Sequence, residues 1–400
     1  MRRHLLPLTA FALAACLMTG CRLQEVPFTN AVIHLSLPDE ALPGGYDGYQ
    51  VTLTNIATGR SQSDSTDAEG VTSIRVEEGV YKIEVSGVKT LETTVNVGSS
   101  QQTITQKVQI SGLLEKALVI GETFEATIPL FVSLQSNGFV IKEIYYTGST
   151  TPKSGSYYQD QYIEIYNNSD SVLYADGLTI VESTHLSSKD VPEFVDYPND
   201  LIAGVLYTVP GDGTTYPVQP GKSIVIASLG INHTAVNANS PADLSKADFE
   251  WFDNGTDVDV PEVTNMIRAF CYSNTIWIMH VKGYHAYAIF KPEGSISDFV
   301  TQNTVNVMTA SGSTVTRVKV PNSMILDGVE LGTAGTIGSK SLSSSIDVSY
   351  TYCDGSYIGK SVRRKVLKWE NGRAILQDTN NSAKDFMPNA KPIPWKVEEE

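Results

Sequence analysis

The chain has 400 residues, of which 41% are hydrophobic and 18% charged, and its formal net charge is −15. This composition is typical of a globular protein and excludes a disordered chain or a coiled coil. The acidic balance argues against nucleic acid as a partner, because an acidic surface repels the phosphate backbone.

The N-terminus has the features of a secretory signal. Arg2 and Arg3 precede an apolar run over residues 5–17, which is shorter than the ~20 residues that a membrane span needs. Small residues precede a cysteine twice, in LAAC at Cys16 and in MTGC at Cys21. Both sites resemble the lipobox of bacterial lipoproteins, in which the cysteine is acylated and becomes the first mature residue.

Cys21 leaves the fuller apolar run in front of it. We therefore expect a lipoprotein signal peptide over residues 1–20, lipidation at Cys21 with Cys16 as the alternative, and a tether over residues 21–29. An ordinary cleaved signal is the other interpretation of this segment. Acylation at Cys21 would anchor the protein to the membrane without a spanning helix.

The next hundred residues have the pattern of a sheet. Apolar and polar side chains alternate in residues 33–37, 50–55, 73–77 and 81–86, which predicts strands with one buried and one wet face. The run YQVTLTNIATGRSQSDSTDAEGVTSIRVEEGVYKIEVSG resembles the prealbumin-like or carboxypeptidase-regulatory-like sandwich. That resemblance implies a spacer or adaptor without catalytic residues, and we expect this domain to span residues 30–135.

The second domain is predicted from three segments that follow one another: FVIKEIYYTG, QYIEIYNNSD with the following DGLTI, and VQPGKSIVIA. Their order within residues 139–227 resembles the lamin-tail domain, an immunoglobulin-like β-sandwich. In that family Glu164 and Asn167 would be framework residues near a sharp turn. We expect this domain to span residues 139–400, with insertions after residue 228 decorating its core.

The whole chain also resembles an uncharacterised family of Bacteroidetes lipoproteins. Two further segments carry this likeness, SPADLSKADFEW and ILQDTNNSAKDF. The resemblance implies location and architecture and no activity. The fold expected from all these patterns is all-β, with two β-sandwich domains, the first prealbumin-like and the second lamin-tail-like (immunoglobulin-like).

Glu143 and Glu164 are the one candidate acid–base pair, since retaining glycosidases use two carboxylates ~5 Å apart. Such pairs arise by chance in sheets, so we expect a structural role for them. The tyrosines of the same region could stack on a flat ligand or fill the sandwich core, and we favour the core. These tyrosines are Tyr145, Tyr146, Tyr157, Tyr158, Tyr162 and Tyr166.

Two metal sites are conceivable on ligand type alone. If Lys282 and Gly283 form a two-residue turn within IWIMHVKGYHAYAIF, a hairpin places His280 opposite His285.

Asp253, Asp257 and Asp259 gather carboxylates in one loop, but their spacing is not that of an EF-hand. We interpret both groups as solvent-facing and expect no metal or other cofactor.

Cys271 and Cys353 remain in the mature chain. Outside the cytoplasm they could form a disulfide, which their spacing does not decide.

These observations favour a surface-anchored, non-enzymatic lipoprotein that binds a ligand or a partner, without catalytic residues. We expect it on the outer membrane, held by its acyl anchor and exposed at the surface, with an outer-membrane β-barrel nutrient transporter as a candidate partner. The alternative is an extracytoplasmic hydrolase of polysaccharide or phosphoester, with its site on the insertions after residue 228.

Overall fold

The computed structural model describes residues 27–36, 45–97, 100–134, 138–253, 257–309, 311–334 and 337–398. Strands dominate this part of the chain, which confirms the all-β prediction. The proposed signal peptide and both candidate acylation sites, Cys16 and Cys21, lie outside the described residues. No helix within the described ranges is long and apolar enough to cross a membrane.

The first part of the chain forms eight strands in two sheets. The strands are β1 (Phe28–Ser36), β2 (Gln50–Asn55), β3 (Ser61–Ser65), β4 (Val71–Glu77), β5 (Gly79–Val97), β6 (Ser100–Val119), β7 (Thr123–Pro129) and β8 (Phe131–Leu134). One sheet has the order β4-β1-β7 and the other the order β3-β2-β5-β6-β8. Alternate residues of β1 and β4 are buried, as the period-two pattern predicts.

The hydrophobic cluster of these strands contains side chains from both sheets, such as Ile33 of β1 and Val51 of β2. Among the side chains that the structure describes, it includes none beyond Leu130, and the clusters of the later strands begin at Phe139. The two groups of strands therefore bury separate cores.

The strands of the second part are shorter and more numerous. In chain order they are β9 (Phe139–Tyr145), β10 (Ser149–Thr150), β11 (Ser156–Tyr157), β12 (Tyr162–Asn167), β13 (Leu173–Tyr174), β14 (Thr179–Ser183), β15 (Asp200–Thr208), β16 (Pro217–Val218), β17 (Ser223–Ala227), β18 (Phe249–Glu250), β19 (Thr264–Asn265), β20 (Ile267–Cys271), β21 (Ala286–Phe290), β22 (Thr304–Met308), β23 (Thr314–Pro321), β24 (Ile325–Glu330), β25 (Ser361–Arg364), β26 (Val366–Glu370), β27 (Arg373–Leu376) and β28 (Phe386–Ala390). Three short helices accompany them, α1 (His233–Val236), α2 (Ile296–Asn303) and α3 (Ser382–Asp385), together with a 3-10 turn (Asn322–Met324).

Two large sheets face each other across the main core. The first has the order β19-β18-β17-β12-β9-β25-β28, and the second has the order β22-β23-β15-β14-β21-β24 with β20 paired to β15. Ile163 and Ile165 of β12 share one cluster with Ile180 of β14 and Ile289 of β21. Burying such a side chain contributes about 1.5–3 kcal/mol, so the facing rows of aliphatic residues hold the sandwich together.

The first large sheet is covered on its outer face as well. Every residue of β9 and β12 is buried, although β12 alternates polar and apolar positions and β9 contains the adjacent Lys142 and Glu143. Tyr162 packs with Ala242 and Leu244 of the segment after α1, and Tyr166 packs with Leu376 and Val397 near the C-terminus. The chain beyond residue 228 therefore adds a second layer over this sheet.

Each of the two large sheets contains a buried glutamate whose pKa is raised. Burial raises the pKa of Glu164 to about 7, with Lys142 opposing the shift. Burial likewise raises the pKa of Glu330 to about 7, with Lys340 opposing. Glu330 Oε2 accepts the N–H groups of Ser341 and Leu342, while its Oε1 has no partner among the described residues.

Raised carboxyl pKa values predict a protein that is more stable at pH 6 than at pH 8. The folded-state pKa values of Glu164 and Glu330 lie above the unfolded value. The stabilising contribution of these two groups to the free energy of unfolding is therefore fully present below about pH 4.3 and is lost as the pH rises through about 7. Each group should contribute up to roughly 1 kcal/mol between these two pH values. Thermal unfolding in one buffer series measures the difference.

Burial lowers the pKa of His185, His233 and His280, which opposes this trend, but mainly below about pH 6.5. The variant Glu330→Gln serves as the comparison, and it should reduce the difference in the thermal unfolding midpoint between pH 6 and pH 8. A midpoint that is equal or higher at pH 8 would contradict the assignment.

Candidate ligand-binding groove

Glu143 and Glu164 are direct cross-strand neighbours on the outer face of the first large sheet, and both are fully buried. The β9–β12 register shifts between Glu164 and Ile165, which leaves Lys142 without a partner in the ladder. Lys142 Nζ lies 2.7 Å from Glu164 Oε2. A bulge of this kind re-aims a side chain, and here it supplies the counter-charge of a buried carboxylate.

All four carboxylate oxygens of this pair are occupied. Glu143 Oε1 accepts the Ser361 hydroxyl at 2.5 Å, and Glu143 Oε2 accepts the hydroxyl of Tyr162 at 2.7 Å and the N–H of Ile393 at 3.2 Å. Glu164 Oε1 accepts the backbone N–H of Trp395 at 3.1 Å.

The Ser223 hydroxyl donates to the same Glu164 oxygen. Such saturation favours a framework role over acid–base catalysis, because every oxygen of the pair already accepts a hydrogen bond from a protein donor.

Glu164 fixes the position of Trp395, which lies on the C-terminal segment. Trp395 has a φ of +61°, a left-handed conformation that costs a non-glycine residue about 1–2 kcal/mol. Its backbone N–H is held by Glu164, and its indole Nε1–H donates to Asp248 Oδ2 at 3.3 Å. A strained residue that is held by several partners is typical of functional sites.

The turn after β12 is a docking point for the hairpin of β26 and β27. Asn167 Nδ2 donates to the carbonyls of Ser171 and Val218, both at 2.8 Å, and thereby closes the turn. Arg373 Nη1 donates to the carbonyls of Asn168 at 2.9 Å and Ser169 at 2.6 Å.

The Tyr166 hydroxyl donates to Ala374 O at 2.8 Å. Asn371 and Gly372 have φ values of +52° and +75°, which suits the two-residue turn of a hairpin. The hairpin projects Trp369, whose surface is 43% exposed.

A groove of about 570 Å³ lies between this hairpin, the C-terminal segment and the turn before β17. Its lining includes Tyr166, Gly221, Lys222, Trp369, Arg373 and Trp395. Gly221 has a φ of +74°, and a Cβ on it would lie 2.6 Å from Arg373 Cγ, so the arginine packs where only glycine fits. No carboxyl group from the described part of the chain lines the groove.

A smaller cavity of about 160 Å³ lies beside His185 and Glu193. His185 Nδ1 lies 3.2 Å from Glu193 Oε2, and His185 Nε2 lies 2.9 Å from Ser339 Oγ. This is the order of a serine–histidine–carboxylate triad. However, the Ser339 hydroxyl also donates to Lys189 O at 2.6 Å, and Lys189 Nζ pairs with Glu193 at 2.6 Å.

The predicted hairpin around His280 and His285 is wrong. Residues 276–280 form no strand, and β21 begins only at Ala286. Side chains bind the backbone there instead: Asp253 Oδ2 accepts the N–H of Trp277 at 2.6 Å.

Gln161 binds both backbone groups of Met279, accepting its N–H at 3.1 Å and donating to its carbonyl at 2.9 Å. The rings of His280 and His285 are nevertheless 6.2 Å apart. Within the described ranges, no group of three or more His, Cys, Asp or Glu side chains is arranged to hold a metal ion.

The sequence predicts a solvated acidic loop, but Asp253 is fully buried, whereas Asp257 is half-buried and Asp259 is exposed. Asp253 pairs with Arg268 at 2.9 Å and also accepts the Tyr207 hydroxyl. Asp257 caps the backbone N–H of Asp253 at 3.1 Å, and Asp259 binds the side-chain amide of Asn265 at 2.8 Å. Each carboxylate therefore has its own protein partner.

Four of the six tyrosines singled out in the sequence, Tyr145, Tyr146, Tyr162 and Tyr166, are buried, and Tyr157 and Tyr158 are half-buried.

Cys271 and Cys353 are free thiols. Burial raises the pKa of Cys353 to about 11, which makes that thiol a poor nucleophile.

The groove residues after Tyr166 were missed by the sequence reasoning. The signal was present in WENGRAIL, where an Asn-Gly pair separates two runs that pair as strands. Nothing in the sequence signals that the C-terminal segment returns to Glu164, because that contact spans 231 residues.

Comparison with known proteins places these residues in a family context. Residues 219–393 match the sequence pattern of a family described as "Protein of unknown function (DUF4876)". The fold is similar to the crystal structure of a DUF4876 family protein from Bacteroides thetaiotaomicron VPI-5482, with a TM-score of 0.61 and 25% identity over 92% of this chain and 98% of that chain.

A second solved structure, a candidate adhesin from Bacteroides ovatus ATCC 8483, has a TM-score of 0.21 and 8% identity over 77% of this chain and 90% of that one. No curated protein matches the sequence. In sequence over residues 219–393, and in fold over most of its length, the chain is similar to DUF4876 family proteins, whose description names no function.

Proposed function

We propose that this protein is a non-enzymatic binding module of the cell envelope and that the groove beside Trp369 and Trp395 is its ligand site. The observation that carries the proposal is the way Trp395 is held. Two carboxylates, those of Glu164 and Asp248, hold this residue in a left-handed conformation at the edge of a cavity. We attribute this strained backbone to a requirement of ligand binding for the position of the indole.

The size and composition of the groove support binding of a small ligand. Its volume of about 570 Å³ lies within the range of ligand pockets, roughly 300–1,000 Å³. Trp369 and Trp395 offer large apolar faces, and Lys222 and Arg373 add polar contacts. Sites of this kind combine apolar area with a few placed polar groups.

The location of the protein is part of the same proposal. Acylation at Cys21 would tether the module to the outer membrane, with its loops facing outwards, and an outer-membrane β-barrel transporter would be the partner that receives the ligand. Palmitate labelling that disappears in a Cys21→Ser variant and persists in Cys16→Ser is the outcome expected for this anchor.

Trp369→Ala should weaken ligand binding at least tenfold, because it removes the exposed indole of the groove. A suitable control is Leu367→Ala, which shortens another exposed apolar side chain of β26 that does not line the groove. Titration calorimetry with cellotetraose, mannotetraose and tetragalacturonate as probes measures the effect. Failure of all three probes to bind, or equal binding by Trp369→Ala, would contradict the proposal.

A hydrolytic function is the second candidate, and the arrangement of Ser339, His185 and Glu193 favours it. These residues could activate the serine for attack on an ester carbonyl, which differs from the glycosidic or phosphoester bond expected from the sequence. Burial keeps His185 neutral by lowering its pKa, as a general base requires.

The hydroxyl of Ser339 that donates to Lys189 O argues for a bracing role instead. A fluorophosphonate probe distinguishes these roles. We expect no labelling of the wild-type protein. Labelling that is lost in Ser339→Ala and retained in Ser341→Ala would establish the hydrolase and overturn a purely binding role.

A further inference from the structure

We infer that the ligand of the groove is an acidic saccharide, one whose sugar ring carries a carboxylate. This inference rests on the proposed function and names the chemical class that the site selects. It is carried by the charges of the groove, by the orientation of Arg373 and by the two indoles.

The wall of the groove carries two cationic side chains in an acidic protein. The chain has a formal net charge of −15, yet among the residues that the structure describes the groove is lined by Lys222 and Arg373 and by no carboxyl group. The nearest acid on the hairpin, Glu370, lies 3.4 Å from Lys368, which offsets its charge. An anion in the groove would therefore meet these two cations, whereas most of the remaining surface of this acidic protein would repel it.

The guanidinium of Arg373 is oriented before any ligand arrives. Its Nη1 is fixed by the carbonyls of Asn168 and Ser169, and its stem packs against Gly221. The hydrogen bonds found in the described residues use only this one nitrogen of the side chain. A fixed arginine loses little entropy on binding, and its planar fork matches the two oxygens of a carboxylate.

The indoles select a ring over an extended anion. The C–H groups on the face of a sugar carry partial positive charge, and an aromatic face is the negative part of its quadrupole, so the two stack. Trp395 is only half-buried and Trp369 is 43% exposed, which leaves surface for such contact. A linear acidic peptide would satisfy Arg373 but would leave these faces without a flat partner.

The experiment compares tetragalacturonate with its fully methyl-esterified form, which has the same sugar rings and no charge. We expect the acid to bind at least tenfold more tightly than the ester. The preference should shrink as salt is raised, because exposed charges are then screened. Lys222→Gln should weaken binding of the acid several-fold, whereas Lys153→Gln, which changes an exposed lysine outside the groove, should not.

The outcomes separate this inference from the proposed function. Equal or tighter binding of the ester, or Trp369-dependent binding only of neutral oligosaccharides, would overturn the acidic class and leave a binding groove. Trp369-dependent binding of tetraglutamate in preference to tetragalacturonate would overturn the saccharide. Absence of binding by every probe would overturn both.

Discussion

The structure of the C-terminal part depends on one buried carboxylate. Glu164 lies in the middle of β12, with no surface exposed, and its charge is balanced by Lys142 from the neighbouring strand. Desolvation of such a pair costs several kcal/mol for each ion, so the pair persists only where further hydrogen bonds satisfy it. Here those bonds come from Ser223 and Trp395, which lie on separate segments of the groove rim.

The same requirement explains why the outer face of this sheet is not open to solvent. The charged residues of β9 and the polar residues at alternate positions of β12 would suit a wet face, but the chain after residue 228 covers them. Each buried polar group must then find a protein partner. Glu143 accepts hydrogen bonds from Tyr162 and Ser361, and Asp253 forms an ion pair with Arg268. These acids therefore join segments that are distant in sequence.

The sequence predicted the fold class and the framework strands well. Period-two alternation and the NNSD turn depend on local chemistry, and β1, β2, β4, β5, β9 and β12 coincide with the predicted segments. The hairpin at His280 was predicted wrongly because Gln161 and Asp253 bind that backbone in place of a second strand.

The groove was not foreseen as a site because its residues come from the segments around Tyr166, Gly221, Trp369 and Trp395. Tertiary contacts of Glu164, Arg373 and Tyr166 bring them together, and no local pattern encodes those contacts. The sequence analysis identified Glu164, but only as a framework residue near a sharp turn.

The central claim is that Glu164 holds Trp395 in place, and fluorine NMR of protein containing 5-fluorotryptophan tests it most directly. The four tryptophans give four resonances, and Trp395→Phe identifies the relevant one. The variant Lys142→Met/Glu164→Leu removes both charges and the acceptor, while Lys142→Met/Glu164→Gln keeps an acceptor oxygen. We expect the Trp395 resonance to shift or broaden in the leucine variant and to stay near its original position in the glutamine variant, with the buried Trp251 and Trp277 unchanged in both. An unchanged Trp395 resonance in the leucine variant would show that Glu164 does not position the groove.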